Sequence, residues 1–179
     1  MNFFGFWIHL NNYKQRVVIA YMKQGSTLFL KIVLLLIAIG ALVVLIRFPQ
    51  IEGRAANLDL VGIYKDPVII YIYIASIPFF AALYQAFKLL GYIDKNKIFS
   101  QASVSAVRNI KYCAMTIVGF VVIGILFIRF ASGSDDPAGG VAIGICITFA
   151  SVVIATAAAV FQKLLQNAVD LKSENDLTV

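Results

Sequence analysis

Few residues of this chain have side chains that could do chemistry, and they are scattered along it. His9 is the only histidine, so a histidine-based catalytic triad or a zinc site is not expected. The two cysteines, Cys113 and Cys146, lie in apolar segments without an accompanying histidine or carboxylate, which predicts reduced, buried thiols. The sequence contains no glycine-rich phosphate-binding motif. We therefore expect no enzyme activity, no bound metal and no cofactor.

The carboxylates lie outside the long apolar segments of the chain. They are Glu52, Asp59, Asp66, Asp94, Asp135, Asp136, Asp170, Glu174 and Asp176. Ion-coupled transporters usually keep an ionisable group within the membrane. Lys31 is the one charged residue that lies more than two residues inside the end of an apolar segment, and it is close to the start of the first. Lys31 either extends its ammonium group back to the lipid headgroups or serves as an intramembrane ion or substrate site. Its position near the membrane surface favours the headgroup interpretation.

Four apolar segments of 23 or 24 residues make up most of the chain, at 26–48, 67–90, 109–131 and 138–161. A helix of that length reaches about 35 Å, which is enough to cross a hydrocarbon core of about 30 Å. Hydrophobic residues make up 61% of the 179 residues and charged residues only 13%. This composition predicts an all-α integral membrane protein with four transmembrane helices in one domain, residues 22–179.

The basic residues are distributed unequally between the two sides of the predicted membrane domain. Eleven of the 15 lysines and arginines belong to the N-terminal segment with the start of the first span, the middle loop or the C-terminal segment, and four to the other side. The positive-inside rule then places both termini and the middle loop in the cytoplasm. The net charge of +6 is explained by this topology, so no direct binding of nucleic acid is expected.

Residues 1–21 differ from the remainder of the chain. They mix Phe3, Phe4, Phe6 and Trp7 with polar and basic residues and lack the pattern of a signal peptide. One interpretation is an interfacial segment whose aromatic side chains lie at the headgroup level. The other, which we favour, is an extension upstream of a translation start at Met22.

The fourth apolar segment is rich in small residues at regular spacing. Gly140, Gly144 and Thr148 recur every four residues and are followed by Ser151, Ala155 and Ala159. Such rows let transmembrane helices pack closely, because the burial of apolar surface does not drive association in lipid. The pattern favours a central helix of the domain or a homo-oligomer contact through Gly140, Gly144 and Thr148, with a pore lining as a further alternative.

The helical pattern of the fourth segment continues past the membrane. Phe161, Leu164, Leu165, Ala168 and Leu171 share one side of a helix, and Lys163, Gln166, Asn167 and Asp170 share the other. The last helix is therefore predicted to extend into the cytoplasm. Its apolar side must be covered by the middle loop, by another copy of the chain or by a different protein.

Two stretches resemble an uncharacterised bacterial membrane family, domain of unknown function 2975. They are 85–113, which begins QAFKLLGYIDKNKIFS and ends SAVRNIKYC, and the ending 164–179, LLQNAVDLKSENDLTV. The resemblance extends from about Met22 to Val179. It implies four spans with cytoplasmic ends in the bacterial inner membrane. It also implies a gene neighbourhood with a small helix-turn-helix regulator, and it brings no established catalytic or ligand residues.

The leading functional hypothesis is a regulatory adaptor that binds a cytosolic DNA-binding regulator through the basic middle loop and the C-terminal tail. The basic loop can pair weakly with the acidic tail and release it to a partner; alternatively, the loop only determines topology. The candidate docking residues are Lys95, Lys97, Arg108, Asp170, Lys172, Glu174, Asn175 and Asp176. The alternative functions are an immunity protein against a membrane-active peptide, acting through the outer loops, and a small transporter or channel subunit.

Overall fold

The computed structural model describes residues 25–48, 67–130 and 138–177, and all of these ranges are helical except the loop after Asp94. The helices are α1 (Gly25–Phe48), α2 (Pro67–Asp94), α3 (Gln101–Phe130) and α4 (Ala138–Leu177). Each of the four is long and apolar enough to cross a membrane. The predicted all-α architecture with four transmembrane helices is therefore confirmed for the described part of the chain.

Three of the helices are longer than the apolar segments that predicted them. α2 continues past Leu90 to Asp94, and α3 begins at Gln101, well before the predicted span at 109. α4 has 40 residues and is therefore about 60 Å long, twice the thickness of a hydrocarbon core. The predicted continuation of the last helix beyond the membrane is confirmed to Leu177.

α3 lies between α2 and α4 and makes the most extensive contacts of the described helices. Its buried and half-buried residues form two adjacent rows, each with the alternating three- and four-residue spacing of a coiled-coil seam. One row packs on α2: Ser103, Ala106, Ile110, Cys113, Ile117, Phe120 and Gly124. The other packs on α4: Val104, Val107, Lys111, Ala114, Val118, Val121 and Ile125. The central helix is thus α3, whereas the small residues had suggested α4.

α4 meets α3 through a row with the same spacing, which we call the α3-facing row. Its members are Gly144, Thr148, Ser151, Ala155, Ala158, Gln162, Leu165 and Val169, all buried or half-buried. A Cβ atom added at Gly144 would lie 2.8 Å from both Cγ1 and Cδ1 of Ile125, so only glycine permits this approach. Several of the small residues of the fourth span therefore serve packing within the chain, whereas Gly140 and Ala159 are exposed.

α1 is attached to α2 along a single row of half-buried residues. The row runs through Thr27, Lys31, Leu34, Ala38, Ala41, Leu45 and Phe48. Polar contacts join the two helices near both ends: Lys31 pairs with Asp94, and the Tyr73 hydroxyl donates to the Leu45 carbonyl at 3.3 Å. The other large apolar side chains of α1 are exposed, as expected for a helix that faces lipid.

Candidate docking face

The loop between α2 and α3 carries two of the candidate docking residues and begins with a helix-ending Schellman motif. The Lys97 amide donates to the Tyr92 carbonyl at 2.8 Å, and the Asn96 amide donates to the Ile93 carbonyl at 3.1 Å. Asn96 adopts a left-handed conformation with φ of 54°, which asparagine tolerates better than most residues. These bonds hold Lys95 and Lys97 in a defined turn.

Two serines at the start of α3 secure the other end of this loop. The hydroxyls of Ser100 and Ser103 both donate to the Lys97 carbonyl, at 2.7 Å and 3.1 Å. The Val104 amide donates to the Ser100 carbonyl at 3.3 Å, and the Ser100 hydroxyl accepts a 3.4 Å bond from the Ser103 amide, as an N-cap residue does. Ser103 is fully buried, so its own bonds in this network are protected from water. Ser100 is therefore the N-cap residue of α3.

An ion pair attaches α1 to the start of the same loop. The Lys31 ammonium group donates to the Asp94 carboxylate and lies 5.8 Å from the centre of the Phe87 ring. The side chains are 27% and 29% exposed, so water screens the pair only partly. Neither sequence interpretation of Lys31 included this partner. The available signal was that Asp94 is the one acidic residue among the basic residues of the loop region.

An apolar cluster joins the loop region to the extension of α4. Val104, Val107, Ala158 and Leu165 form its buried core, and Leu89, Ile98, Ile110 and Val169 pack against it. Three separate parts of the chain therefore meet at this point: the end of α2 with its loop, the start of α3, and α4. Of the alternatives for covering the apolar side of the extension, the loop and the start of α3 cover Leu165 and Val169.

Three of the candidate docking residues are sequence neighbours of residues in this cluster. Lys97 precedes the cluster residue Ile98, Arg108 follows Val107, and Asp170 follows Val169. The residues with exposed side chains are Lys95, Lys97, Arg108, Asp170, Lys172, Glu174 and Asn175, and we call this set the loop–tail face. The side chain of Asp176 lies outside the described residues. Asp170 accepts a 2.8 Å hydrogen bond from Gln166 of its own helix. The weak charge pairing between loop and tail stays a prediction.

The remaining candidate residues do not assemble into a chemical site. Cys113 is half-buried in α3, but Cys146 is exposed on the surface of α4, so the prediction that both thiols are buried was wrong for Cys146. Within the described residues, no group of histidine, cysteine, aspartate and glutamate side chains could hold a metal ion. The outer loops of the immunity hypothesis are 47–66 and 129–136, and most of them, residues 49–66 and 131–136, lie outside the described residues. His9 and the N-terminal segment 1–21 also lie outside the described residues.

Comparison with known proteins places this arrangement in a family. Residues 50–179 match the family model described as "Protein of unknown function (DUF2975)". The chain is 52% identical over 160 residues to the uncharacterized membrane protein YoaS of Bacillus subtilis (strain 168), covering 88% of this chain and 100% of that protein. No solved structure matches the chain significantly. The resemblance seen in the sequence is thus confirmed, and the chain belongs to the DUF2975 family of membrane proteins of unknown function.

Proposed function

We propose that this protein is a membrane-bound regulatory adaptor whose loop–tail face binds a cytosolic partner, such as a small helix-turn-helix regulator. The choice of partner rests on the gene neighbourhood that the family resemblance implies. Binding at the membrane would keep such a regulator away from DNA. Neither a catalytic group nor a cofactor takes part in this function.

One observation carries the proposal: the apolar cluster joins the loop region to the extension of α4. Ile98 of the loop packs on the same core as Leu165 and Val169 of α4. The serine network and the Schellman motif further restrain the backbone of the loop between α2 and α3. A partner that binds the exposed charges therefore meets a preorganised surface, which lowers the entropic cost of association.

The charges of this face suit a partner of mixed charge. Lys95, Lys97 and Arg108 supply the basic side, whereas Asp170 and Glu174 supply an acidic side on α4. Complementary charges at an interface contribute to specificity and to the rate of association more than to affinity. We expect the partner to present an acidic patch to the loop and a basic patch to the tail.

The proposal places this face in the cytoplasm. The loop and the extension of α4 lie on the same side of the domain, because one apolar cluster contains residues from both. The excess of lysine and arginine on that side supports a cytoplasmic location, in the inner membrane of a bacterium. Both termini of the chain are on this side in the proposed topology.

Affinity purification from the native membrane, followed by mass spectrometry of co-purified proteins, tests the proposal. The full chain is compared with a chain that ends at Leu171. That truncation keeps Leu165 and Val169, so the apolar cluster remains while Lys172, Glu174 and Asn175 are lost. We expect a cytosolic DNA-binding protein with the full chain and at least a tenfold loss with the truncated one.

Charge reversal separates the loop from the tail in the same experiment. Lys95→Glu with Lys97→Glu should reduce the co-purified partner about as strongly as the truncation. Lys88→Glu with Lys163→Glu is the matched control, because it changes the net charge equally at two exposed lysines outside the loop–tail face. Equal losses in both double variants would show a general charge effect. The absence of any tail-dependent partner would contradict the adaptor function.

A further inference from the structure

α4 carries a second row with the spacing of a coiled-coil seam, immediately beside the α3-facing row. We call it the outward row: Ile143, Ile147, Ala150, Ile154, Ala157, Phe161, Leu164, Ala168 and Leu171. Every member except Leu171 comes one position before a member of the α3-facing row, so the two rows are about 100° apart around the helix. All members are exposed except the half-buried Ala168.

Lipid can cover this row only within the membrane. α4 is about twice as long as a hydrocarbon core is thick, and its apolar segment ends near Phe161. Leu171 lies about 15 Å further along the helix axis. Leu164 is 60% exposed and Leu171 is 62% exposed, whereas the adjacent Leu165 is 4% exposed within the cluster. A row of apolar side chains that continues beyond the membrane is typical of a surface that another protein covers.

We propose that the outward row packs against the same row of a second copy, which forms a parallel homodimer along α4. The row runs from the membrane segment into the extension, so its partner must be a membrane helix that also extends beyond the membrane on the same side. A second copy of α4 has that length and that direction. Among the described helices, α1, α2 and α3 have 24, 28 and 30 residues, too few to match it.

The side chains of the outward row fit a two-stranded parallel arrangement, in which each residue meets its equivalent. Ile147, Ile154 and Phe161 occupy one set of alternating positions, and Leu164 and Leu171 lie in the other set. Ile147 and Ile154 in the first set, with Leu164 and Leu171 in the second, match the pattern that favours two strands over three or four, although Ile143 also lies in the second set. Ala150 and Ala157 belong to the second set within the membrane, where small residues allow close approach of helices.

This interface differs from the oligomer contact predicted through Gly140, Gly144 and Thr148. Gly144 packs against the side chain of Ile125 of the same chain, and Thr148 belongs to the α3-facing row. Only Gly140 falls in register with the outward row. The dimer does not depend on the adaptor function, because its contacts lie outside the loop–tail face.

Disulfide cross-linking of the full chain in native membranes tests the dimer. Cys113→Ala with Cys146→Ala removes the natural thiols, and single cysteines are then placed at Leu164 or Leu171. Ser173→Cys is the matched control, since Ser173 is exposed on the same extension but lies on the other side of the helix from the outward row. Under mild oxidation, we expect a product of twice the chain mass at least fivefold more abundant for Leu164→Cys and Leu171→Cys than for the control.

Three results would overturn the dimer: no cross-linked product at Leu164 and Leu171, equal products at all three positions, or a product whose mass shows a different protein. A second measurement counts subunits by single-molecule photobleaching. Leu164→Glu with Leu171→Glu should reduce the dimer fraction at least fivefold. Gln166→Glu with Ser173→Glu adds two negative charges elsewhere on the extension and should leave the dimer fraction unchanged. A dimer fraction insensitive to the first pair would also contradict the interface.

Discussion

Leu164 and Leu165 are neighbours in sequence, yet Leu164 is 60% exposed and Leu165 is 4% exposed. They belong to the two rows of α4, the outward row and the α3-facing row. Within the membrane the outward row contains the larger residues, such as Ile147 and Ile154, and the α3-facing row the smaller ones, such as Gly144 and Ala155. Beyond the membrane, the α3-facing row also contains large residues, Leu165 and Val169.

The physical reason for this change is that lipid surrounds one part of α4 and water surrounds the other. In lipid, a large apolar side chain is as well solvated outside the protein as inside it, so close packing selects small residues. In water, burial of a large apolar side chain supplies the stabilisation. The composition of the α3-facing row therefore changes where α4 leaves the membrane. Four experiments test this comparison, from the largest expected effect to the smallest.

Leu165→Ala should lower the free energy of unfolding by about 2–4 kcal/mol, because it leaves a cavity in the cluster with Val104 and Val107. Leu164→Ala is the matched control. In a monomeric preparation it should lower the free energy of unfolding by less than about 1 kcal/mol, since that side chain is exposed. Denaturation in detergent micelles, followed by circular dichroism, measures both. Equal losses would contradict the assignment of the two rows.

Gly144→Ala should destabilise the domain by about 1–2 kcal/mol, because the added methyl group would overlap with Ile125 across the α3–α4 contact. Gly119→Ala is its control in the middle of α3, where an added Cβ would have nothing within 4 Å. That control should be neutral or stabilising by up to about 1 kcal/mol, since alanine favours the helix. The same denaturation experiment compares them, and a harmless Gly144→Ala would show that this contact is loose.

The attachment of α1 should depend on polar contacts more than the α3–α4 contact does. A double-mutant cycle with Lys31→Met and Asp94→Asn should give a coupling energy of about 1 kcal/mol, between the values for exposed and buried ion pairs. Lys163→Met provides a control on an exposed lysine and should show no coupling with Asp94→Asn. A coupling near zero for Lys31 would mean that the Lys31–Asp94 contact contributes nothing to the position of α1.

Thr148→Val should stabilise the domain by about 0.5–1 kcal/mol. Within the described part of the chain the Thr148 hydroxyl is buried without a hydrogen-bond partner, so its removal relieves a desolvation cost. Thr156→Val should change stability by less, because that hydroxyl is exposed and donates to the Val152 carbonyl at 2.8 Å. A loss of stability at Thr148 would indicate that its hydroxyl has a partner in the membrane.

Hydropathy and amphipathic spacing predicted much of this fold from single segments. The four spans and the extension of α4 depend on residues close together in sequence. The Lys31–Asp94 pair could not be predicted in this way, because it depends on the register of α1 against α2. The exposure of Cys146 was missed for a related reason, since an apolar span does not reveal which side faces lipid.

The sequence by itself determined the four membrane-spanning segments and the family, because crossing a bilayer requires a local run of apolar residues and each helix satisfies its own backbone hydrogen bonds. Only the tertiary structure decided that α3 is the central helix and which row of α4 packs on it. It also decided that the loop and the α4 extension share one apolar cluster. Adjacent rows of similar hydrophobicity compete for the same contact in lipid, and the shapes of the facing side chains select between them.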